Sequence, residues 1–382
     1  MIEVREVRTR KERKDFLEFP LKLYKGCKYY SPNLYISEKD LFKESYFYYK
    51  TCEAVYYNAY KDGKMVGRIG GILQKSANEH WGQKRVRFTR YDVIDDLEVS
   101  RALLKKVEEW AKEKGMNEVF GPMGFSDMEK EGLLIEGFDE PSTFSENYNY
   151  PYYKDHLEKL GYVKDVDWIC HQVRDNPDFD IDKAEKFVER AFQKYNLKPC
   201  PEKDTNKLLD RYGKSFFDIV EESYGELYQV APFTEDQVNS MIDSFRLILD
   251  TRYIYLVLDE NDEVAAFGLS FPFVADILNK TGGKLYPWIL PPLIHRMKKT
   301  KVIEFGLIGV RKKYLRTGLS WAPLIDTARA LRNGDLDYCE TNLTLETNNP
   351  IINMLSHFDI RDHRRVRTFI KILDEEKETN NE

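Results

Sequence analysis

The chain has 382 residues, 42% hydrophobic and 14% aromatic, which exceeds what one core usually serves and suffices to fill two. Lys plus Arg at 59 against Asp plus Glu at 65 gives a net charge of −6, so no global field draws it to nucleic acid or an anionic membrane, and any anion site must be local. Five scattered cysteines without a CxxC pair exclude a disulfide framework, and the six histidines show no metal-ligand spacing.

The opening MIEVREVRTRKERKDF alternates charge with apolar positions and has no apolar core of a signal peptide. No apolar run approaches the roughly 20 residues of a membrane span. A cytoplasmic protein with no membrane partner is expected. CEAVYYNAYKDGKMVGRIGGIL (52–73) reads as two strands joined by Lys61-Asp62-Gly63-Lys64, a hairpin signal. RVRFTRYDVIDD then predicts a strand, and LEVSRALLKKVEEWAKEKG a helix with Val99, Leu103, Val107 and Trp110 on one face. Asp95 and Glu98 stand at capping-box spacing, and Gly115 marks the stop. A strand (NEVFGPM) and a helix (PYYKDHLEKLGY) follow. Between them, from Gly121 to Tyr153, lies a connection too long for an ordinary loop and rich in tyrosine, which suits a substrate pocket and equally a seam between domains.

QVRDNPDFDID (172–182) interrupts the apolar pattern, and the same order then repeats. A hairpin spans 252–273 around Asp259-Glu260-Asn261-Asp262. KVIEFGLIGV (301–310) predicts a strand, GLSWAPLIDTARALRNG a helix ended by Gly334, then LDYCETNLTL and NPIINMLSHFDI a strand and a helix. Two copies of one domain are expected, over 1–172 and 173–374, with a polar tail at 375–382. Each is an α/β domain of mixed layers, a mostly antiparallel sheet flanked by helices.

The second strand–loop–helix, IEFGLIGV followed by Leu315-Arg316-Thr317-Gly318-Leu319-Ser320, resembles the signature of the GNAT superfamily of N-acyltransferases. Arg316 stands one place off the usual arginine, and LETNNPIINML resembles the next motif with Asn349 at its helix. Over nearly the whole length, DGKMVGRI and the segment from GPMGFSDMEK to HLEKLGY look like a bacterial group of tandem GNAT-like proteins.

The resemblance implies acetyl- or acyl-coenzyme A as co-substrate, without a metal, and transfer to a small-molecule or peptide amine. It implies binding by Ile308, Gly309, Val310, Arg316, Thr317, Gly318, Leu319, Ser320 and Asn349. A small residue at a helix N-terminus lets backbone N–H groups approach a pyrophosphate, with Arg311, Lys312, Lys313 and Arg316 nearby. The equivalent first-half junction, YDVIDDLEVS, has no glycine and carries Asp92, Asp95, Asp96 and Glu98, which repel a phosphate. The first domain is therefore expected to lack a phosphate loop.

Glu304 is the candidate base, placed by strand alternation on one face with Gly306, Ile308 and Val310; an exposed edge position is the competing reading. The family's tyrosine acid has no counterpart, since its place falls on Leu355 or Ser356. Tyr148, Asn149, Tyr152 and Tyr153 are the acceptor-side candidates. Two other functions stay open: a non-catalytic GNAT-fold binding or interaction protein, and a tRNA-dependent aminoacyl transferase, which the acidic charge disfavours. A homodimer is compatible with either.

Overall fold

The computed structural model describes residues 1–246 and 249–373, so the expected tail at 375–382 lies outside them. The first half supplies strands β1 (Ile2–Glu6), β2 (Cys52–Lys61), β3 (Lys64–Gln74), β4 (Arg85–Val93), β5 (Glu118–Gly121), β6 (Leu133–Glu136) and β7 (Val163–Arg174). The second supplies β8 (Lys198–Pro199), β9 (Ile254–Leu258), β10 (Val264–Pro272), β11 (Val302–Val310), β12 (Tyr338–Glu340), β13 (Thr344–Leu345) and β14 (Asp359–Ile372).

The chain divides into two units. The first comprises Met1–Ile169, Ala275–Pro287 and the segment from Arg364; the second comprises Cys170–Val274 and Trp288–His363. The sequence reading expects contiguous domains, whereas here each unit takes a strand from the far side of the boundary. In the first unit the order is β1-β2-β3-β4-β5, and Phe369–Ile372 of β14 then pairs antiparallel with β5. In the second the order is β8-β9-β10-β11-β12, and Val173 of β7 faces Cys339 of β12.

Local chemistry explains the elements. Asp62 (φ 51°) and Gly63 (φ 76°) are both left-handed, the geometry a two-residue hairpin turn requires. Helix Leu97–Glu113 buries Val99, Leu103, Val107 and Trp110, which join Phe88, Val119 and Phe369 in the first unit's core. Its cap is Asp96, which accepts a bond from Glu98 N at 3.0 Å, and not the expected Asp95. Asp95 instead lies 3.3 Å from His156 Nε2. The opposite face of that sheet is closed by helix Arg10–Leu23, begun by a Thr9–Glu12 capping box and burying Phe16 against Tyr56 and Ile72.

In the second unit, helices Ile181–Tyr195 and Ala322–Arg332 bury Val188, Leu324, Ile325 and Ala328 against Ile303, Phe305 and Cys339. Helix Thr205–Tyr224 covers the other face, with Phe216 packed at a tilt on Phe267, 5.1 Å between ring centres. The sequence reading has no counterpart for this helix or for Glu235–Phe245, although both are amphipathic and capped, by Asp204 and Thr234.

Candidate active site

In the second unit β11 and β12 run parallel only from Val302–Tyr338 to Glu304–Glu340. Thr341 N still bonds His171 O of β7 at 2.9 Å and Asn342 N bonds Phe305 O of β11 at 3.1 Å, and past these β11 continues to Val310 while the other chain leaves it and pairs with β7 as β13. A V-shaped opening results. At its apex Glu304 is 3% exposed, which removes the exposed-edge reading, and pairs in register with Phe271 and Glu340.

The expected alternation fails just past this point. Leu269 faces Leu307 but Ser270 faces Phe305, so Gly306 is the extra residue of a bulge. Because Phe271 and Leu269 share a face of β10, Glu304 shares its face with Leu307, and Ile308 and Val310 turn to the other.

Two imidazole–carboxylate pairs lie on β7, β12 and β14, projecting from opposite faces of the sheet. His363 Nε2 lies 2.7 Å from Glu340 Oε2, and Gln172 Nε2 donates to Glu340 Oε1 at 3.4 Å. His171 Nδ1 lies 2.7 Å from Asp362 Oδ1, and its backbone N donates to Thr341 Oγ1 at 2.8 Å. His171 is buried, and its Nε2 makes no hydrogen bond among the described residues. The carboxylate at one nitrogen fixes the orientation of the ring, and the other nitrogen is enclosed by the fold. Sequence reasoning noted these histidines only as lacking metal spacing; His171 and Asp362 stand 191 residues apart, so no local pattern could join them.

The phosphate-loop candidates lie at the head of helix Ala322–Arg332. Gly318 takes φ 87° and opens a single tight turn, Leu319–Trp321, that feeds the helix. Thr317 Oγ1 donates to Tyr314 O at 2.7 Å and accepts from Leu319 N at 3.4 Å, while Trp321 N and Ala322 N bond to oxygens of the turn. Arg311 bonds Val264 O and Glu222, and Lys313 bonds Asp259; Lys312 and Arg316 are exposed. Ser320 is half-buried, and Asn349 is exposed at the first turn of Asn349–Leu355, where Asn348 is the cap.

Ile308, Gly309 and Val310, the expected binding residues of β11, already have partners within the fold. Tyr224 OH donates to Ile308 O at 2.8 Å, and Ser223 Oγ lies 3.5 Å from Val310 O. A Cβ on Gly309 would meet Phe267 at 2.5 Å and Ile219 at 2.6 Å, so packing already accounts for that glycine. A ligand arm pairing with this edge must displace the Tyr224 hydroxyl.

The first unit has the same divergence: β4 and β5 pair only from Arg85–Glu118 to Arg87–Phe120. A cavity of about 300 Å³ opens beyond, lined by Thr89–Asp92 of β4, by Pro122 and Gly124 after β5, and by Tyr148 and Asn149. Gly70 faces Thr89 and Arg68 faces Asp92, so β4 also carries a bulge, and within it Arg90 takes φ 48°. A bulge re-aims side chains. Here it delivers Arg90 to Glu38, with Nη2 3.0 Å from Oε1, and to Glu129 at 3.6 Å.

Arg68 Nε donates to Asp92 at 2.7 Å, and Asp92 also accepts from Tyr24 OH at 3.1 Å. Burial works to raise the Glu38 carboxyl, but Arg90 and Arg68 outweigh it and hold it below its ordinary range. The Glu38–Arg90 pair in the cavity wall thus persists at neutral pH.

Of the four acceptor-side candidates, two line this cavity. Asn149 also clamps Leu134, accepting from its N at 2.7 Å and donating to its O at 3.0 Å. Tyr152 and Tyr153 instead fasten their helix to the end of β4, through Tyr152 OH to Val93 O (2.7 Å) and Val93 N to Tyr153 OH (2.8 Å). At the helix Leu97–Glu113 the carboxylate of Asp96 occupies the N-terminus and pairs with Lys61 at 2.7 Å. The carboxylate that caps the helix takes the place an anionic ligand would use there.

No protein-family profile matches the chain. It is 26% identical over 378 residues to Protein YghO of Escherichia coli K12, covering 96% of this chain and 95% of that one. It is 24% identical over 312 residues to the bacterial ceramide synthase of Caulobacter vibrioides, covering 81% and 80%. Among solved structures, a tandem GNAT protein from the clavulanic acid biosynthesis pathway superposes with TM-score 0.54 over 98% of this chain and 99% of that one, at 12% identity. A glucosamine N-acetyltransferase region of a fungal β-N-acetylglucosaminidase gives 0.51 over 97% and 38%, at 11% identity. The chain has the tandem GNAT fold.

Proposed function

We propose that the protein is an N-acyltransferase that carries an acyl group from acyl-coenzyme A to an amine. The buried Glu304 at the end of the β11–β12 pairing, with His363 held on its register partner Glu340, carries the reading. In the reaction the amine nitrogen attacks the thioester carbonyl, a nearby base takes the amine proton, and the C–S bond breaks to release the coenzyme as thiolate. Glu304 is the candidate base. With a thiol pKa of about 8.5, the leaving group departs without a dedicated acid, which fits a chain lacking the family's tyrosine.

Support for the acceptor class comes from the relatives. A ceramide is the amide of a fatty acid with a long-chain amino alcohol, so the Caulobacter protein's name denotes an N-acylation. We take a long-chain amino alcohol as the first acceptor to test and a fatty acyl-coenzyme A as the donor. The cavity of the first unit favours a second reading, in which that unit rather than the second holds a reactant at the same place in the same fold.

Calorimetric titration with acetyl- and palmitoyl-coenzyme A tests both. In the first reading Gly318→Glu and the exposed-site variant Arg316→Glu weaken binding by at least roughly tenfold, the effect of a repelling charge at a helix N-terminal anion site, while Arg90→Gln leaves it unchanged. The reverse pattern supports the second. Wild-type protein that binds neither thioester would remove the acyltransferase reading and leave a non-catalytic GNAT-fold protein.

A further inference from the structure

Residues 288–301, WILPPLIHRMKKTK, hold four basic side chains and no acid, in a chain whose acids outnumber its bases. The segment begins with the end of a short turn, Pro287–Ile289, and continues as helix Leu290–Lys298, which buries none of its residues. Large apolar groups lie in the open: Trp288 is 68% exposed, Leu290 42% and Ile294 50%. Single exposed hydrophobics are ordinary, but a run of them on one short element marks a surface that meets something.

The helix is held to its unit by its other side. Arg296 Nη1 donates to Phe273 O at 3.2 Å, and Tyr253 OH donates to Met297 O at 2.6 Å. Leu290, Ile294 and Lys298 follow at four-residue spacing and share a face. Pro291, Pro292 and His295 are exposed beside them, and Lys299 just past the helix end.

We propose that this element is a membrane-surface anchor that docks the protein on an anionic lipid bilayer. An exposed tryptophan just before the helix, and a helix face that runs from two branched aliphatics to a lysine, suit the boundary between acyl chains and negatively charged headgroups. Charge complementarity selects this occupant over a second copy of the chain, because a symmetric pairing through this face would bring Lys298 and Lys299 toward their own counterparts. Among the described residues no helix is long and apolar enough to cross a membrane, so the element lies along the surface. The proposal does not depend on the acyl-transfer reading.

Vesicle flotation of the full-length protein tests it, with vesicles of phosphatidylcholine alone and of phosphatidylcholine with phosphatidylglycerol. The protein should float with the anionic vesicles, less so as salt rises. The triple variant W288Q/L290Q/I294Q should abolish flotation, and K298E/K299E should reduce it roughly tenfold or more, both with unchanged thermal melting. Wild-type protein that stays at the bottom, or a triple variant that floats like wild type, overturns the anchor. So does a wild-type dimer, seen by sedimentation and absent in the triple variant, that does not float.

Discussion

Replacing Arg364 with Ala should lower stability by about 3–5 kcal/mol, read as a fall in the urea midpoint of the first unfolding transition. Arg364 in β14 is 1% exposed. Its guanidinium donates to Glu140 O at 2.9 Å and Asn147 O at 2.8 Å, and its Nε lies 3.3 Å from Oε2 of Glu146, also 1% exposed. Truncation leaves a buried carboxylate without its cation and two carbonyls without their donor, which costs more than the bonds contribute when formed.

The charge accounts for most of the loss, so R364A/E146Q should recover a good part of it. A loss below about 1 kcal/mol would mean the carboxylate finds another partner or takes up a proton. The same arginine ties the stretch that precedes Tyr148 and Asn149 to a strand from the far end of the chain. Its loss should therefore also loosen one wall of the first unit's cavity.

Much of the architecture was legible because it rests on local signals. Asp62-Gly63 demanded a left-handed turn, Gly115 and Gly334 ended helices, and the Val99-Leu103-Val107-Trp110 stripe announced a buried face. Features that depend on partners distant in the chain were not. A strand's period of two says which face is buried but not which strand lies beside it, so nothing in FIKI disclosed that Phe369–Ile372 would complete the sheet at Glu118–Gly121. The bulge at Gly306 is one inserted residue, invisible without its partner strand, yet it reverses the facing of everything after it. The site was legible only in outline for the same reason. Gly318 and Glu304 sit on a readable strand–loop–helix, whereas the imidazole held on Glu340, the register partner of Glu304, comes from β14, near the far end of the chain.

Asp127→Asn should stabilise the protein above pH 6 by about 3 kcal/mol, with no gain near pH 4. Asp127 and Glu131 lie in the loop after β5; Oδ1 of the first and Oε1 of the second are buried and make no hydrogen bond among the described residues. Burial pushes the Asp127 carboxyl up to about 6, against the pull of its own backbone N–H and of Arg87. Burial, with Asp127 adding to it, raises Glu131 well above its ordinary range.

The sign follows from proton counting. Between about pH 4 and pH 6 the folded state still holds the Asp127 proton while the unfolded chain has lost it, so stability falls by about 1.4 kcal/mol per pH unit across that window and then levels. An amide has no proton to lose, so the variant escapes this decline, and the difference from wild type should open between those two pH values. Glu131→Gln should show the same onset but keep diverging to higher pH, because its folded carboxyl loses its proton later. Chemical denaturation at a series of pH values reads both. Parallel wild-type and variant curves would mean that both carboxylates are already ionised in the folded protein, held by Arg87 more strongly than burial opposes.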